Sequence, residues 1–144
     1  MTRELSAGRS ARPTCTHIAL FARALDEAVA FYRTYAALDE VHRRLDGGVS
    51  VVWLAEQGRE TEFVIVLIGV DHAEPAVPAP LAHIGYSVGS RSEVDRLALQ
   101  ARNDGILIEG PRDAGSIVGY YCIVRDPDGN LVEFSHGQAL GPLA

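Results

Sequence analysis

The sequence contains no lysine, only two cysteines and a single tryptophan in 144 residues. Its 13 basic residues are therefore all arginine, and against 19 acidic residues they leave a formal net charge of −6. This balance argues against a nucleic-acid or anionic-membrane surface, because phosphate binding requires clustered basic side chains. Cys15 and Cys122 form no CxxC pair and no disulfide framework, so we expect a reducing, cytoplasmic location.

Long hydrophobic runs are also lacking. The longest, residues 63–70, is far shorter than the roughly 20 residues that cross a bilayer, so the sequence predicts no membrane span. Residues 1–14 lack the apolar centre of a signal peptide and are predicted to form a flexible tail. Hydrophobic residues nevertheless make up 47% of the chain, which is typical of an ordinary globular protein of about one domain.

The distribution of apolar residues predicts the same series of elements twice. In residues 15–70, a β-prone segment is followed by a helix to about residue 37 and then by three strand candidates. Residues 71–81 are rich in proline and alanine and are predicted to form a linker. A second βαβββ unit is predicted for residues 82–136, with Ser92 as its helix cap, and residues 137–144 form a C-terminal tail.

Direct comparison of the two halves supports a duplication with an offset of 66 residues. It places the segment HIAL, which begins at His17, on HIGY, which begins at His83, without a gap. Neither unit is large enough to bury a core alone. We therefore predict an α+β fold in which two paired βαβββ modules form curved mixed sheets with helices outside.

Three side chains are candidates for a metal site. Strand alternation places His17 and His83 at equivalent positions of the two halves, and the repeat leads us to expect that they converge. Glu133 lies in the last strand between apolar neighbours, where a carboxylate is costly to bury unless it is paired or bound to a cation. Two imidazoles and one carboxylate suit Fe²⁺, Mn²⁺, Co²⁺, Ni²⁺ or Zn²⁺ and leave coordination positions open.

Other polar residues have weaker claims. A lone histidine in a strand is more often a surface or core residue than a ligand, and only the equivalence of two histidines beside Glu133 favours metal binding. His136 alternates to the face opposite Glu133. Tyr121, on the neighbouring strand, is a candidate acid, base or orienting group, whereas Cys15 is expected to be a small buried thiol.

Three segments, THIALFARALDEAVAFYR, AHIGYSV and VRDPDGNLVEFSH, resemble the vicinal oxygen chelate superfamily. This group includes glyoxalase I, extradiol dioxygenases, fosfomycin-resistance thiol transferases and bleomycin-resistance proteins. The resemblance implies a paired βαβββ fold and a divalent metal held by His17, His83 and Glu133. It also implies a homodimer, in which the ligands of one site can come from both chains.

The sequence departs from particular branches of that family. Val66 stands where glyoxalase I has a fourth, glutamate ligand, which argues against lactoylglutathione lyase activity. Ile123 replaces a tyrosine shared by extradiol dioxygenases and the thiol transferases. No histidine lies between residues 84 and 133 to match the additional histidine of the extradiol enzymes.

Two functions from different classes remain open at this point. The first is a metal-dependent enzyme that acts on a small molecule with vicinal oxygens, by lyase or isomerase, dioxygenase or transferase chemistry. The second is a non-catalytic protein that binds a drug or metabolite, like the bleomycin-resistance branch. A third reading, in which the metal serves only stability, requires a closed coordination sphere.

Overall fold

The computed structural model describes residue 12, residues 14–70 and residues 82–140. The predicted linker at residues 71–81 lies outside the described residues, as do most of the predicted tails. The first described segment contains β1 (His17–Ala22), α1 (Leu25–Ala36), β2 (Asp39–Asp46), β3 (Val49–Ala55) and β4 (Val64–Gly69). The second contains β5 (Ile84–Ser87), α2 (Arg91–Asn103), β6 (Leu107–Asp113), α3 (Gly115–Val118), β7 (Tyr120–Arg125) and β8 (Leu131–His136).

The strands form two mixed sheets with the same topology. Sheet A has the order β1-β4-β3-β2 and sheet B the order β5-β8-β7-β6. In each sheet the first strand pairs in parallel with the last one, and the remaining neighbours are antiparallel. Helix α1 begins at Leu25 and α2 at Arg91, which is the offset of 66 residues seen in the sequence. The predicted α+β class with two βαβββ units is confirmed.

Several local predictions need correction. Ser90, not Ser92, caps α2: its backbone is extended and its hydroxyl accepts a hydrogen bond from the Glu93 amide at 3.1 Å. Ser92 lies inside the first turn, where its hydroxyl contacts that of Ser90 at 2.9 Å. The short helix α3 was not predicted, because four residues carry too little periodicity to be recognised.

Both halves contribute to one hydrophobic core. Helix α1 buries Phe31, Tyr32 and Tyr35 on one face, and these rings pack on the helix-facing side of sheet A and reach sheet B. Phe134 of β8 is fully buried and stacks with Tyr35 at 6.4 Å and with Tyr86 at 5.7 Å between ring centroids. The helix-facing sides of the two sheets therefore share their core. No helix in the described part of the chain is both long and apolar enough to cross a membrane.

The turn between β7 and β8, with the sequence DPDGN, joins the two halves. The carboxylate of Asp126 accepts hydrogen bonds from the amides of Asp128 at 2.9 Å and Asn130 at 2.8 Å, which closes the turn. It also accepts a buried hydrogen bond from the hydroxyl of Tyr32 in α1 at 2.8 Å. Asp128 accepts a further bond from the backbone amide of Arg23 at 2.9 Å. This turn holds α1 of the first half against sheet B.

Candidate metal centre

Glu133 and His83 lie side by side on the face of sheet B that is turned away from the core. Glu133 pairs with Gly85 in the parallel ladder, and its carboxylate lies over that glycine. Its side chain is only 8% exposed. The carboxylate lies 3.8 Å from His83 Nε2 and accepts a long hydrogen bond from Gln138 Nε2 at 3.4 Å. A buried carboxylate with such long contacts is costly, and a bound cation would offset that cost.

His17 lies on the corresponding face of sheet A. Its ring is exposed, and Nδ1 is 3.0 Å from the hydroxyl of Thr16. When Nδ1 donates to that hydroxyl, Nε2 carries the lone pair that a metal ligand requires. His17 lines a cavity of about 560 Å³, in which Val66 stands among the apolar walls. Val66 therefore faces the same space as His17 but cannot ligate a metal.

The three predicted ligands do not come together within one chain. Among residues 12, 14–70 and 82–140, no group of three His, Cys, Asp or Glu side chains is placed to hold one metal ion. The core packs on the opposite side of each sheet, so the faces that carry His17 and Glu133 both turn away from it. One chain therefore presents His83 with Glu133 at one place and His17 at another.

Tyr121 lies on the same face of sheet B as Glu133. It pairs with Ser135, whereas Ile123 pairs with Glu133, so Tyr121 is one same-face position further along β7. Its hydroxyl donates to the carboxylate of Glu109 and accepts from the guanidinium of Arg112 at 2.5 Å. The phenol is only 5% exposed, and its hydroxyl is held between an anion and a cation.

Glu109, Arg112 and Gln138 are polar neighbours that the sequence reasoning missed. Glu109 and Arg112 belong to β6, which continues to Asp113. Gln138 follows the last strand, in the segment predicted to be a tail. The amide of Gln138 was not predictable, because a glutamine after a strand carries no pattern of its own.

His136 and the two cysteines lie outside the proposed ligand set. Nδ1 of His136 lies 3.0 Å from the carbonyl oxygen of Val88, to which it donates. Cys15, expected to be buried, is exposed, since it precedes β1 and lies outside the core. The free thiol buried in this structure is Cys122, whose pKa is raised to about 11 by burial and by the nearby charge of Glu133.

The chain is similar to known proteins in sequence and in structure. The chain is 44% identical over 130 residues to the uncharacterized protein PA2024 of Pseudomonas aeruginosa, covering 90% of this chain and 93% of that protein. A glyoxylase/bleomycin resistance protein/dioxygenase domain from Frankia sp. has a similar structure, with 22% identity, a TM-score of 0.69 and coverage of 90% of this chain and 96% of that one.

Two structures of named proteins share the fold. One is a mutant of the fosfomycin resistance protein FosX of Listeria monocytogenes, complexed with Mn(II) and 1S,2S-dihydroxypropylphosphonic acid (19% identity, TM-score 0.69, coverage 90% and 93%). The other is the trypanothione-dependent glyoxalase I of Leishmania major (16% identity, TM-score 0.68, coverage 88% of each chain). A family model also matches residues 14–134, and the chain belongs to the Glyoxalase/Bleomycin resistance protein/Dioxygenase superfamily.

Proposed function

We propose that this protein is a divalent-metal-dependent enzyme that acts on a small molecule with two adjacent oxygen atoms. The observation that carries the proposal is the buried carboxylate of Glu133, which lies 3.8 Å from the Nε2 atom of His83 and accepts a long hydrogen bond of 3.4 Å from the amide of Gln138. Imidazole and carboxylate form the donor set that Mn²⁺, Fe²⁺, Co²⁺, Ni²⁺ and Zn²⁺ accept. The metal, when bound, would act as a Lewis acid toward the substrate oxygens.

The third ligand comes, in this proposal, from a second copy of the chain. The face of sheet A that carries His17 also exposes large apolar side chains, with Phe21 63% and Trp53 36% exposed. Burying such a face against sheet B of another protomer would remove apolar surface from water. A homodimer of this kind places His17 of the partner subunit beside His83 and Glu133, and its twofold symmetry creates two such sites.

The remaining residues of the site have distinct roles in this scheme. Val66 supplies no ligand, so three protein ligands leave coordination positions open, as a catalytic metal requires. The Tyr121 hydroxyl, on the same sheet face as Glu133, is the proposed proton donor, acceptor or orienting group. The guanidinium of Arg112 stabilises negative charge on the Tyr121 oxygen, while the carboxylate of Glu109 can accept its proton.

Metal content tests this proposal directly. Protein purified without chelator is expected to contain about one equivalent of a divalent metal per chain, because a twofold dimer holds as many sites as protomers. His83→Ala and Glu133→Gln should lose that metal, whereas His136→Asn, a matched histidine variant away from Glu133, should retain it. If the unmodified protein contains no metal, and if Mn²⁺, Fe²⁺, Ni²⁺ and Zn²⁺ leave its melting temperature unchanged, the proposal fails.

The mostly apolar walls of the His17 cavity also favour a second candidate, a protein that binds a drug or metabolite without chemical change. His83→Ala separates the two candidates: an enzyme loses both metal and turnover, whereas a binding protein keeps its affinity for the ligand. Both candidates suit a cytoplasmic location, which the two free cysteines favour.

A further inference from the structure

The cavity beside His17 extends across all four strands of sheet A. His17 is on the edge strand β1, Trp53 is on β3, and Arg44 of β2 lies at the opposite edge. Three strand spacings of about 4.8 Å separate His17 from Arg44 across the sheet, and the strand register sets Arg44 four residues further along, at about 3.3 Å per residue. The backbones of His17 and Arg44 are therefore roughly 20 Å apart. The space between them is walled by apolar side chains and by the Trp53 ring.

Arg44 is the cation at the far end of this cavity. Its guanidinium carbon lies 5.6 Å from the centre of the Trp53 ring, and its Nη2 atom is 3.6 Å from the exposed carboxylate of Asp46. Within the part of the chain that the structure describes, this guanidinium donates no hydrogen bond. Arginine presents five donors in a planar fork that matches a carboxylate or phosphate, so this side chain has the capacity to bind an anion.

The acidic residues that line the same cavity already have partners of their own. Glu60 accepts a hydrogen bond from the amide of Gly58 at 3.0 Å. Glu62 is 3.6 Å from the guanidinium of Arg59, which also pairs with Glu56. The two glutamates are therefore directed to their own loop, and Arg44 determines which charge the far end of the cavity attracts.

We propose that the substrate is an organic anion with a flat apolar body. Its carboxylate or phosphate pairs with Arg44, and its body lies on the Trp53 ring and the neighbouring Val66 side chain. Its other end, which carries the adjacent oxygen atoms, extends toward His17. Only this last contact rests on the proposed metal-dependent function, since binding to Arg44 and Trp53 requires no metal.

Trp53 provides the measurement, because it is the only tryptophan in the chain. The probes are 3-phenylpropionate and its neutral isostere 3-phenylpropionamide, titrated into the full-length protein after removal of metal with EDTA. Both are followed by tryptophan fluorescence and by calorimetry. We expect the carboxylate to bind about tenfold more tightly than the amide, as is usual for a charge-assisted hydrogen bond.

Arg44→Gln should weaken binding of the carboxylate about tenfold and leave the amide unchanged, while Arg44→Lys should retain part of the preference for the anion. Arg102→Gln, a change on helix α2 outside this cavity, is the matched control and should alter neither probe. Equal affinity of the two probes, no binding of 3-phenylpropionate, or full anion preference in Arg44→Gln would overturn the inference.

The design separates this inference from the proposed function. Elemental analysis that finds no metal, together with Arg44-dependent binding of the anion, overturns the metal enzyme and leaves the anion site. Normal metal content without any effect of Arg44→Gln on anion binding overturns the anion site and leaves the metal-dependent enzyme. Calorimetry repeats each titration independently of the Trp53 environment, which the Arg44 substitutions themselves alter.

Discussion

Mixing two variants that are each expected to lose metal tests whether the proposed metal ligands come from two protomers. His17→Ala and Glu133→Gln each remove one proposed ligand, and both sites of either homodimer are then incomplete. In a heterodimer of the two variants, one site combines both substitutions. The other site combines intact His17 from the Glu133→Gln protomer with intact His83 and Glu133 from the His17→Ala protomer, because the structure places these ligands on different sheets.

The expected recovery follows from symmetry. Random reassociation of equal amounts gives about half heterodimers, each with one of two sites intact, so about a quarter of all sites should bind metal. The variants are unfolded together, refolded and freed of unbound metal by gel filtration, and metal per chain is measured by elemental analysis. Recovery no greater than the mean of the two separate variants would refute ligand sharing between protomers.

A second mixture provides the matched control. His83, directly before β5, and Glu133, in β8, belong to the same chain, and Nε2 of His83 lies 3.8 Å from the Glu133 carboxylate. In a heterodimer of His83→Ala and Glu133→Gln, every site therefore lacks one ligand, and mixing should restore no metal. Recovery in this control as well would show that refolding itself, rather than the partner's His17, produces the signal.

Three further predictions concern stability. Tyr32→Phe removes the buried donor to Asp126 and should lower the free energy of unfolding by about 1–3 kcal/mol in urea titrations; no loss would contradict the role of the DPDGN turn. The buried hydroxyl of Tyr86 has no hydrogen-bond partner among the described residues, so Tyr86→Phe should raise the melting temperature, and a lower value would argue against an unsatisfied group. The Cys122 thiol has an ordinary pKa of 9.0 and a folded pKa of about 11, raised by burial and by Glu133, so the unfolded state loses its proton first. Stability should then fall by up to about 3 kcal/mol as pH rises from about 9 to about 11, and Cys122→Ala should remove that part of the slope.

Strand alternation correctly predicted which side chains of the last strand lie on each face of the sheet, because β8 is regular. Val132 and Phe134 are fully buried in the core, and Glu133 faces the other way, as the alternation of apolar residues indicates. The repeat likewise predicted equivalent positions for His17 and His83, and the two sheets have the same strand order. Neither pattern specifies how two sheets are oriented in space, so the sequence does not determine whether the histidines meet within one chain.

The network around Tyr121 could not be predicted, for a local reason. The pairing of β6 with β7 shifts register between Leu107 and Glu109 and again between Glu109 and Arg112. Each shift breaks the two-residue alternation on which assignment of sheet faces depends. The contacts of Glu109 and Arg112 with Tyr121 therefore depend on how the two strands pair in the folded protein. The sheet face that Glu133 occupies, in contrast, follows from the regular alternation of β8.

The DPDGN turn gives a physical reason why the metal site would form between chains. Through Tyr32 it holds α1 against sheet B, and the helix-facing sides of both sheets are buried in one intrachain core. The faces that carry His17 and Glu133 then remain outside that core. A face with a buried carboxylate and a face with the exposed side chain of Phe21 would lower their free energy by covering each other. Since one chain cannot bring its own two faces together without breaking its core, the proposed homodimer would use a second copy as the complementary face.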